Sequence, residues 1–195
     1  MEGTIEENIF MARIAEQSER FADMVDFLKI VIEQKGADMS SDERALMSVA
    51  FKNMIASKRL AWRTVVAVSG NPKYIPFQAS MTEYKNKLEN GLFEECCNII
   101  TMIQVNILKK KCSDEAKAFF MKLVADNHRY IAEMSSADRH FKALEDAKVS
   151  YEQAAALPLQ PCSPIKLSIS LNLSVFHYEV AKDSAKACSV ADTAL

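Results

Sequence analysis

The feature that most constrains the fold of this chain is its shortage of turn-forming residues. Only four glycines and five prolines occur among 195 residues. β-Proteins need many tight turns, and glycine and proline are among the residues that form them most readily. Hydrophobic residues make up 49% of the chain and charged residues 26%, which is typical of a globular protein. We therefore expect an all-α protein in which most residues lie in long helices.

Capping residues predict where the helices begin and end. Thr4 and Glu7 form a capping-box pattern, Ser18 is placed to cap a second helix, and Gly36 suits a helix C-terminus. Similar signals divide the remainder, and loops of these lengths favour antiparallel neighbours. About eight helices are predicted, with approximate bounds 5–17, 19–35, 41–69, 77–109, 114–135, 137–157, 164–182 and 184 onward.

Charge is distributed unevenly along the chain. Residues 1–43 carry 11 acids and four bases, whereas residues 44–82 carry six bases and no acid. Within the basic stretch, Lys52, Arg59 and Arg63 fall within about 40° of one another on one face of the third helix. Lys122 and Arg129, with Tyr130 beside them, form a second basic helix face. Arginine grips phosphate with a planar pair of donors, so the two faces together would suit a phosphate group.

Other interpretations of these faces stay open. A basic helix face is often only solvated surface. Nucleic acid binding is disfavoured by the net charge of −2 and by the absence of a broader basic field. A helical-repeat scaffold or an enzyme unrelated to phosphate is a further alternative, although no convincing repeat is present.

Several classes of function are disfavoured by the sequence. No apolar run has the roughly 18–20 residues that a membrane span needs, and the acidic N-terminus does not resemble a signal peptide. Five cysteines without a CxxC pair predict reduced thiols, hence a cytoplasmic or nuclear location. The three histidines lack metal-ligand spacing, and no glycine-rich phosphate loop occurs. We therefore expect neither a metal nor a cofactor.

Specific segments resemble one protein family. RALMSVAFKN, Arg44 to Asn53, closely resembles the signature segment of the 14-3-3 proteins. HRYIAE, His128 to Glu133, and SLNLSVFHYE, Ser170 to Glu179, follow in the family's order. The resemblance covers essentially the whole chain. It implies a single domain over residues 1–195, an antiparallel helix bundle of 14-3-3 type whose last family helix is missing from this sequence.

The resemblance also implies the residues of a phosphopeptide groove. The groove would be built from about 41–68, 113–135 and 164–182. The positions that match the family's phosphate pocket are Lys52, Arg59, Arg129 and Tyr130. Those that match other peptide-contacting positions are Arg63, Lys122, Leu171, Asn172, Val175 and Glu179. We expect Asn172, Val175 and Glu179 to share one helix face because they are three and four residues apart.

Dimerisation is implied through the first four helices, about residues 1–91. The matching interface positions are Arg20, Asp23, Ala61, Tyr84 and Lys87. Arg20 lacks its family partner because Gly91 stands where a glutamate is expected, whereas the pair of Asp23 and Lys87 is kept. Ala61 replaces a family serine whose phosphorylation disrupts dimers, so that switch should be absent.

The resemblance implies the function of an adaptor and no enzymatic activity. The resemblance implies binding of phosphoserine or phosphothreonine motifs in client proteins by a homodimer, or by a heterodimer with another family member. An alternative is a scaffold of the same fold that has weakened or lost phosphate dependence and acts mainly through heterodimerisation. Gly91 and the missing last helix favour that alternative.

Overall fold

The computed structural model describes residues 3–135 and 137–194, without the side chain of Ala137. These residues form eight α-helices and no strand, which confirms the all-α prediction. The helices are α1 (Ile5–Gln17), α2 (Phe21–Lys35), α3 (Ser41–Ser69), α4 (Gln78–Ile103), α5 (Asp114–Met134), α6 (Ala137–Ala155), α7 (Pro164–Val175) and α8 (Ser184–Ala194). Short 3₁₀ helices lie at Gly36–Asp38 and Pro72–Phe77. The chain divides into two compact units, Met1–Glu95 and Cys96–Leu195.

Helix boundaries follow the capping signals in most places. Thr4 and Ser40 each form a complete capping box, which satisfies the backbone N–H groups of the cap residue and of the third helical residue in α1 and α3. Gly36 ends α2 with φ 54° and ψ −117°, a combination that glycine adopts readily because it has no Cβ. The segment left between the predicted helices 41–69 and 77–109 contains a 3₁₀ helix that begins at Pro72.

The prediction that Ser18 caps α2 is wrong. The Ser18 hydroxyl instead donates to the carbonyl oxygens of Ile14 and Ala15, at 2.8 and 3.3 Å, and so satisfies the end of α1. The chain then turns through Glu19, whose φ is 55°. Helix α2 starts at Phe21 after Arg20, which makes no side-chain cap. A serine between two helices can serve either end, and here it bonds backward.

In the first unit, α1, α2 and α3 pack together around a core that includes Met24, Leu28, Ile32, Met47 and Ile55. A buried arginine at the start of α3 is satisfied locally, since Arg44 Nη1 donates to the Met39 carbonyl at 2.9 Å. Lys35 joins the end of α2 to α3 by a 2.7 Å ion pair with Glu43. The unit thereby supports the long exposed part of α3.

In the second unit, α5 packs along α6, and α7 contacts α5, α6 and α8. Tyr151, Phe120 and Phe176 are fully buried there. A smaller cluster of Ala118, Ala154 and Ile169 is covered by Met121, Leu157, Leu159 and Ile165. This core brings the polar side chains of three helices close together, as the site described next requires.

Two helices end in π-helical turns that were not predicted. Helix α4 continues through Gln104–Leu108, and α7 continues through Phe176–Val180. Each carries the chain close to the predicted helix ends at Lys109 and Lys182. A π turn places hydrogen bonds five residues apart and changes the angular spacing of its side chains. The second of these turns contains a predicted groove residue, Glu179.

Candidate functional site

The first group of candidate site residues lies on α3. Lys52 and Arg63 are exposed and Arg59 is half-buried, all on one uninterrupted helix. The neighbouring Lys58 pairs with Glu95 of α4 at 2.8 Å. The predicted basic face of α3 is therefore present in the first unit, with two of its three cations exposed.

The second group of candidate residues meets around one buried carboxylate, that of Asp126. Lys122 Nζ donates to Asp126 Oδ2 at 2.7 Å, and Asn172 Nδ2 donates to Asp126 Oδ1 at 2.7 Å. The Tyr151 hydroxyl also donates to Oδ1, and Arg129 Nη2 lies 3.8 Å from the same oxygen. We call these five residues of α5, α6 and α7 the Asp126 network. Three of them, Lys122, Arg129 and Asn172, were predicted from the sequence.

Arg129 is held on several sides. Its Nε donates to the Tyr151 hydroxyl oxygen at 3.2 Å, and the guanidinium carbon lies 4.7 Å from the centre of the Tyr130 ring, within cation–π range. The side chain is only 9% exposed. The guanidinium is thus anchored at its inner edge by a phenol and lies against the ring of its sequence neighbour.

Electrostatics within the network keeps its groups in defined charge states. Burial lowers the pKa of Arg129, but Tyr151 and Asp126 more than offset this, so its pKa is raised. Burial raises the pKa of Tyr151 well above its usual value, and the Asp126 carboxylate raises it further. The phenol therefore stays protonated, which lets it donate to Asp126 and accept from Arg129 at once. One carboxylate faces two cations, leaving one excess positive charge within the network.

The remaining candidates of the second unit lie on α7 and its π turn. Leu171 is 63% exposed, Asn172 and Val175 are half-buried, and Glu179 is exposed. The prediction of one shared face assumed an α-helix through residue 179. Because the helix becomes a π helix after Val175, Glu179 is rotated relative to the position that a continuous α-helix would give it.

The sequence interpretation missed Asp126 and Tyr151. Asp126 lies four residues after Lys122 and three before Arg129, a spacing at which helical side chains are neighbours, so part of its role was readable. Tyr151 gave no comparable signal. It is 25 residues from Asp126, and only the packing of α6 against α5 brings the two together.

Three of the five predicted dimer positions, Arg20, Tyr84 and Lys87, are exposed in the first unit, and the side chain of Asp23 is 42% exposed. Tyr84 is 51% exposed, Lys87 is exposed, and Arg20 pairs with Asp23 of the same chain. Ala61 is half-buried. An open depression of about 710 Å³ is lined by both members of the Arg20–Asp23 pair and by Leu60 of α3. Gly91 has no heavy atom within 4 Å of where a Cβ would lie, so a Cβ at this position meets no obstacle.

In residues 3–135 and 137–194, no group of three or more histidine, cysteine, aspartate or glutamate side chains could hold a metal ion. Across the same residues, no helix combines the length and apolar character needed to cross a bilayer.

Two histidines of the second unit make stability depend on pH. Burial lowers the pKa of His128, which Asp146 raises and Lys142 lowers to smaller extents. Burial also lowers the pKa of His177. The unfolded chain binds these protons at about pH 6.5, so unfolding takes up protons below that pH. The histidines' contribution to stability is therefore complete above about pH 6.5 and is lost as the pH falls toward the folded-state pKa values.

Urea unfolding measured from about pH 7.5 to about pH 5.5 should show this loss. The double variant His128→Gln/His177→Gln should have a flatter pH profile than the wild type. A variant profile as steep as that of the wild type would contradict the assignment.

Together these features define an all-α protein with a basic face on one long helix and a buried charged network joining three others. Sequence comparison identifies its family. The sequence model described as "14-3-3 protein" matches residues 11–195. The chain belongs to the 14-3-3 family.

Individual relatives agree with this assignment. A 14-3-3-like protein of Fucus vesiculosus is 38% identical over 189 residues, covering 95% of this chain and 75% of the relative. The 14-3-3-like protein B of Glycine max is 36% identical, covering 97% and 80%. The 14-3-3-like protein GF14 psi of Arabidopsis thaliana is 35% identical, covering 98% and 78%. The chain therefore spans about three quarters to four fifths of these relatives' lengths.

Proposed function

We propose that this protein is an adaptor, without enzymatic activity, that binds phosphoserine or phosphothreonine motifs in client proteins. The observation that carries the proposal is the excess positive charge of the Asp126 network, where one carboxylate accepts from Lys122 and lies near Arg129. A phosphate dianion can accept charge-assisted hydrogen bonds from arginine and lysine, and arginine can bind it through two parallel bonds. Membership of the 14-3-3 family supports the same function.

The proposed phosphate pocket consists of Lys52, Arg59, Arg129 and Tyr130. The proposed peptide-contacting residues are Arg63, Lys122, Leu171, Asn172, Val175 and Glu179. The exposed side chain of Leu171 suits an apolar contact with the peptide, and the Asn172 amide is already oriented by Asp126. A cytoplasmic location fits such a role and is part of the proposal.

The test is titration calorimetry with a phosphoserine peptide and its unphosphorylated twin. We expect the phosphorylated peptide to bind much more tightly than its twin, whose weak affinity is measured at high peptide concentration. Arg59→Glu should weaken this binding at least about tenfold, since one hydrogen bond between charged groups contributes about 1.5–3 kcal/mol. Lys73→Glu is the matched control, because it reverses an exposed charge in the 3₁₀ helix after α3 and should change affinity little. Equal affinity of the wild type for both peptides would reject the proposal.

We also propose that the protein dimerises through its first four helices. Phe10, Met11 and Ile14 are large apolar side chains of α1 that are at least 40% exposed, as is Tyr84 of α4. An exposed apolar group of this kind is typical of an interaction surface. Because Gly91 supplies no carboxylate for a partner's arginine, a heterodimer with a family member that carries one is favoured over a self-dimer.

Light scattering and subunit mixing test this assembly. Gly91→Glu should strengthen the self-dimer, since it supplies the missing carboxylate and its Cβ would have no heavy atom within 4 Å. Gly91→Gln is the matched control, of similar size but without the charge, and should strengthen it less. The heterodimer preference would be ruled out by three results together. The wild type would form a stable self-dimer, Gly91→Glu would leave its stability unchanged, and its subunits would not exchange with those of a family member.

A further inference from the structure

Tyr151 occupies the centre of the Asp126 network although neither a motif nor the family resemblance marked it. The residue lies on α6 and is fully buried. Its hydroxyl accepts a hydrogen bond from Arg129 Nε at 3.2 Å and donates one to Asp126 Oδ1. The ring packs 5.9 Å from that of Phe176. The phenol hydroxyl therefore has a partner both as a donor and as an acceptor, and the ring is packed against its neighbours.

The Tyr151 hydroxyl determines which edge of the Arg129 guanidinium forms hydrogen bonds within the protein. A guanidinium has five N–H donors in one plane. Tyr151 takes the Nε donor, and Asp126 lies 3.8 Å from Nη2. With the inner edge anchored by these two residues, rotation of the plane is restricted. The Tyr130 ring, 4.7 Å from the guanidinium carbon, restricts it further.

We propose that Tyr151 is a positioning residue for phosphate recognition, orienting the Arg129 guanidinium through its Nε–H. The inference rests on the proposed function, in which Arg129 binds phosphate. Tyr151 itself touches no ligand in this scheme. Its effect is preorganisation, because an arginine already held in its binding orientation loses less conformational freedom when phosphate arrives.

A second route through the network must be separated from this one. Asp126 Oδ1 accepts from Tyr151 and also from Asn172 Nδ2 at 2.7 Å. Loss of the phenol could therefore disturb the Asn172 amide, which is proposed to contact the peptide backbone. An effect through Asn172 would alter phosphorylated and unphosphorylated peptides alike, whereas an effect through Arg129 would alter only the phosphorylated one.

Tyr151→Phe removes the hydroxyl and keeps the ring. In calorimetry it should weaken phosphopeptide binding about three- to tenfold. This range corresponds to the entropic cost of immobilising one long side chain, here Arg129, when the ligand binds. Binding of the unphosphorylated twin should stay within about twofold of the wild type. In an Arg129→Lys background, which lacks the Nε–H, adding Tyr151→Phe should have little further effect. Tyr178→Phe is the matched control, since that hydroxyl belongs to a residue 63% exposed.

The outcomes separate this inference from the function on which it rests. Suppose that the wild type binds in a phosphate-dependent way. The positioning role alone is overturned if Tyr151→Phe changes phosphopeptide affinity by less than about twofold, or if it weakens binding of both peptides equally. The positioning role is also overturned if Tyr151→Phe weakens phosphopeptide binding as much in the Arg129→Lys background as it does in the wild type. Equal binding of both peptides by the wild type overturns the proposed function and the positioning role together.

A measurement on the wild type covers the case in which Tyr151→Phe does not fold. The Arg129 Nε–H, bonded to a buried phenol, should exchange with solvent at least about tenfold more slowly than that of Arg13, an exposed residue of α1. Nuclear magnetic resonance of arginine Nε–H groups gives both rates. Exchange at Arg129 as fast as at Arg13 overturns the inference.

Discussion

Replacing Asp126 with alanine is expected to lower the free energy of unfolding by about 3–5 kcal/mol. The carboxylate is the acceptor for Lys122, Tyr151 and Asn172 and lies beside Arg129. All of these partners are at least partly buried. Removing the Asp126 carboxylate leaves the Lys122 and Arg129 cations without a negative partner in a site where water cannot fully solvate them. For this reason, removing one partner of a buried ion pair strongly destabilises the folded state.

Two companion variants make the Asp126→Ala result diagnostic. Adding Lys122→Met should recover part of the lost stability, because it removes one of the stranded charges. Asp192→Ala, at an exposed position of α8, should change stability by no more than about 0.5 kcal/mol. Urea denaturation of the four proteins gives these values. If Asp126→Ala loses no more stability than Asp192→Ala, the network does not stabilise the folded state.

The network also shows what the sequence could and could not predict. The spacing of Lys122, Asp126 and Arg129 places them on one side of a helix, and that helix was predicted almost to the residue. Which distant residues meet them depends on how α6 and α7 pack against α5. Tyr151 and Asn172 reach Asp126 from positions 25 and 46 residues away, and no local pattern encodes such pairings.

The helix boundaries likewise include some that local sequence predicts and some that it does not. Side-chain caps are local, so the helices that Thr4, Ser40 and Ser113 cap begin at their predicted positions. Ser18 failed because a single hydroxyl can bond backward to the preceding helix or forward to the next one, and the sequence does not distinguish the two. The π turns after α4 and α7 were not readable either, since the residues that form them also suit an α-helix.

The second large effect is expected at Phe176, which links the hydrophobic core of the second unit to the Asp126 network. Its ring is fully buried and lies 5.9 Å from that of Tyr151 and 5.3 Å from that of His177. Phe176→Ala should lower the free energy of unfolding by about 3–5 kcal/mol, because it removes a buried ring and leaves a cavity that rigid helices fill only in part.

Phe141 offers a control with the same chemistry. It lies on α6 and is 70% exposed, so Phe141→Ala should change stability by no more than about 0.5 kcal/mol. Because the Phe176 ring supports that of Tyr151, Phe176→Ala should also weaken phosphopeptide binding under conditions where the variant remains folded, and Phe141→Ala should not. Denaturation and calorimetry on the same samples measure both effects. A stable Phe176→Ala variant with unchanged peptide affinity would mean that the network keeps its geometry without this support.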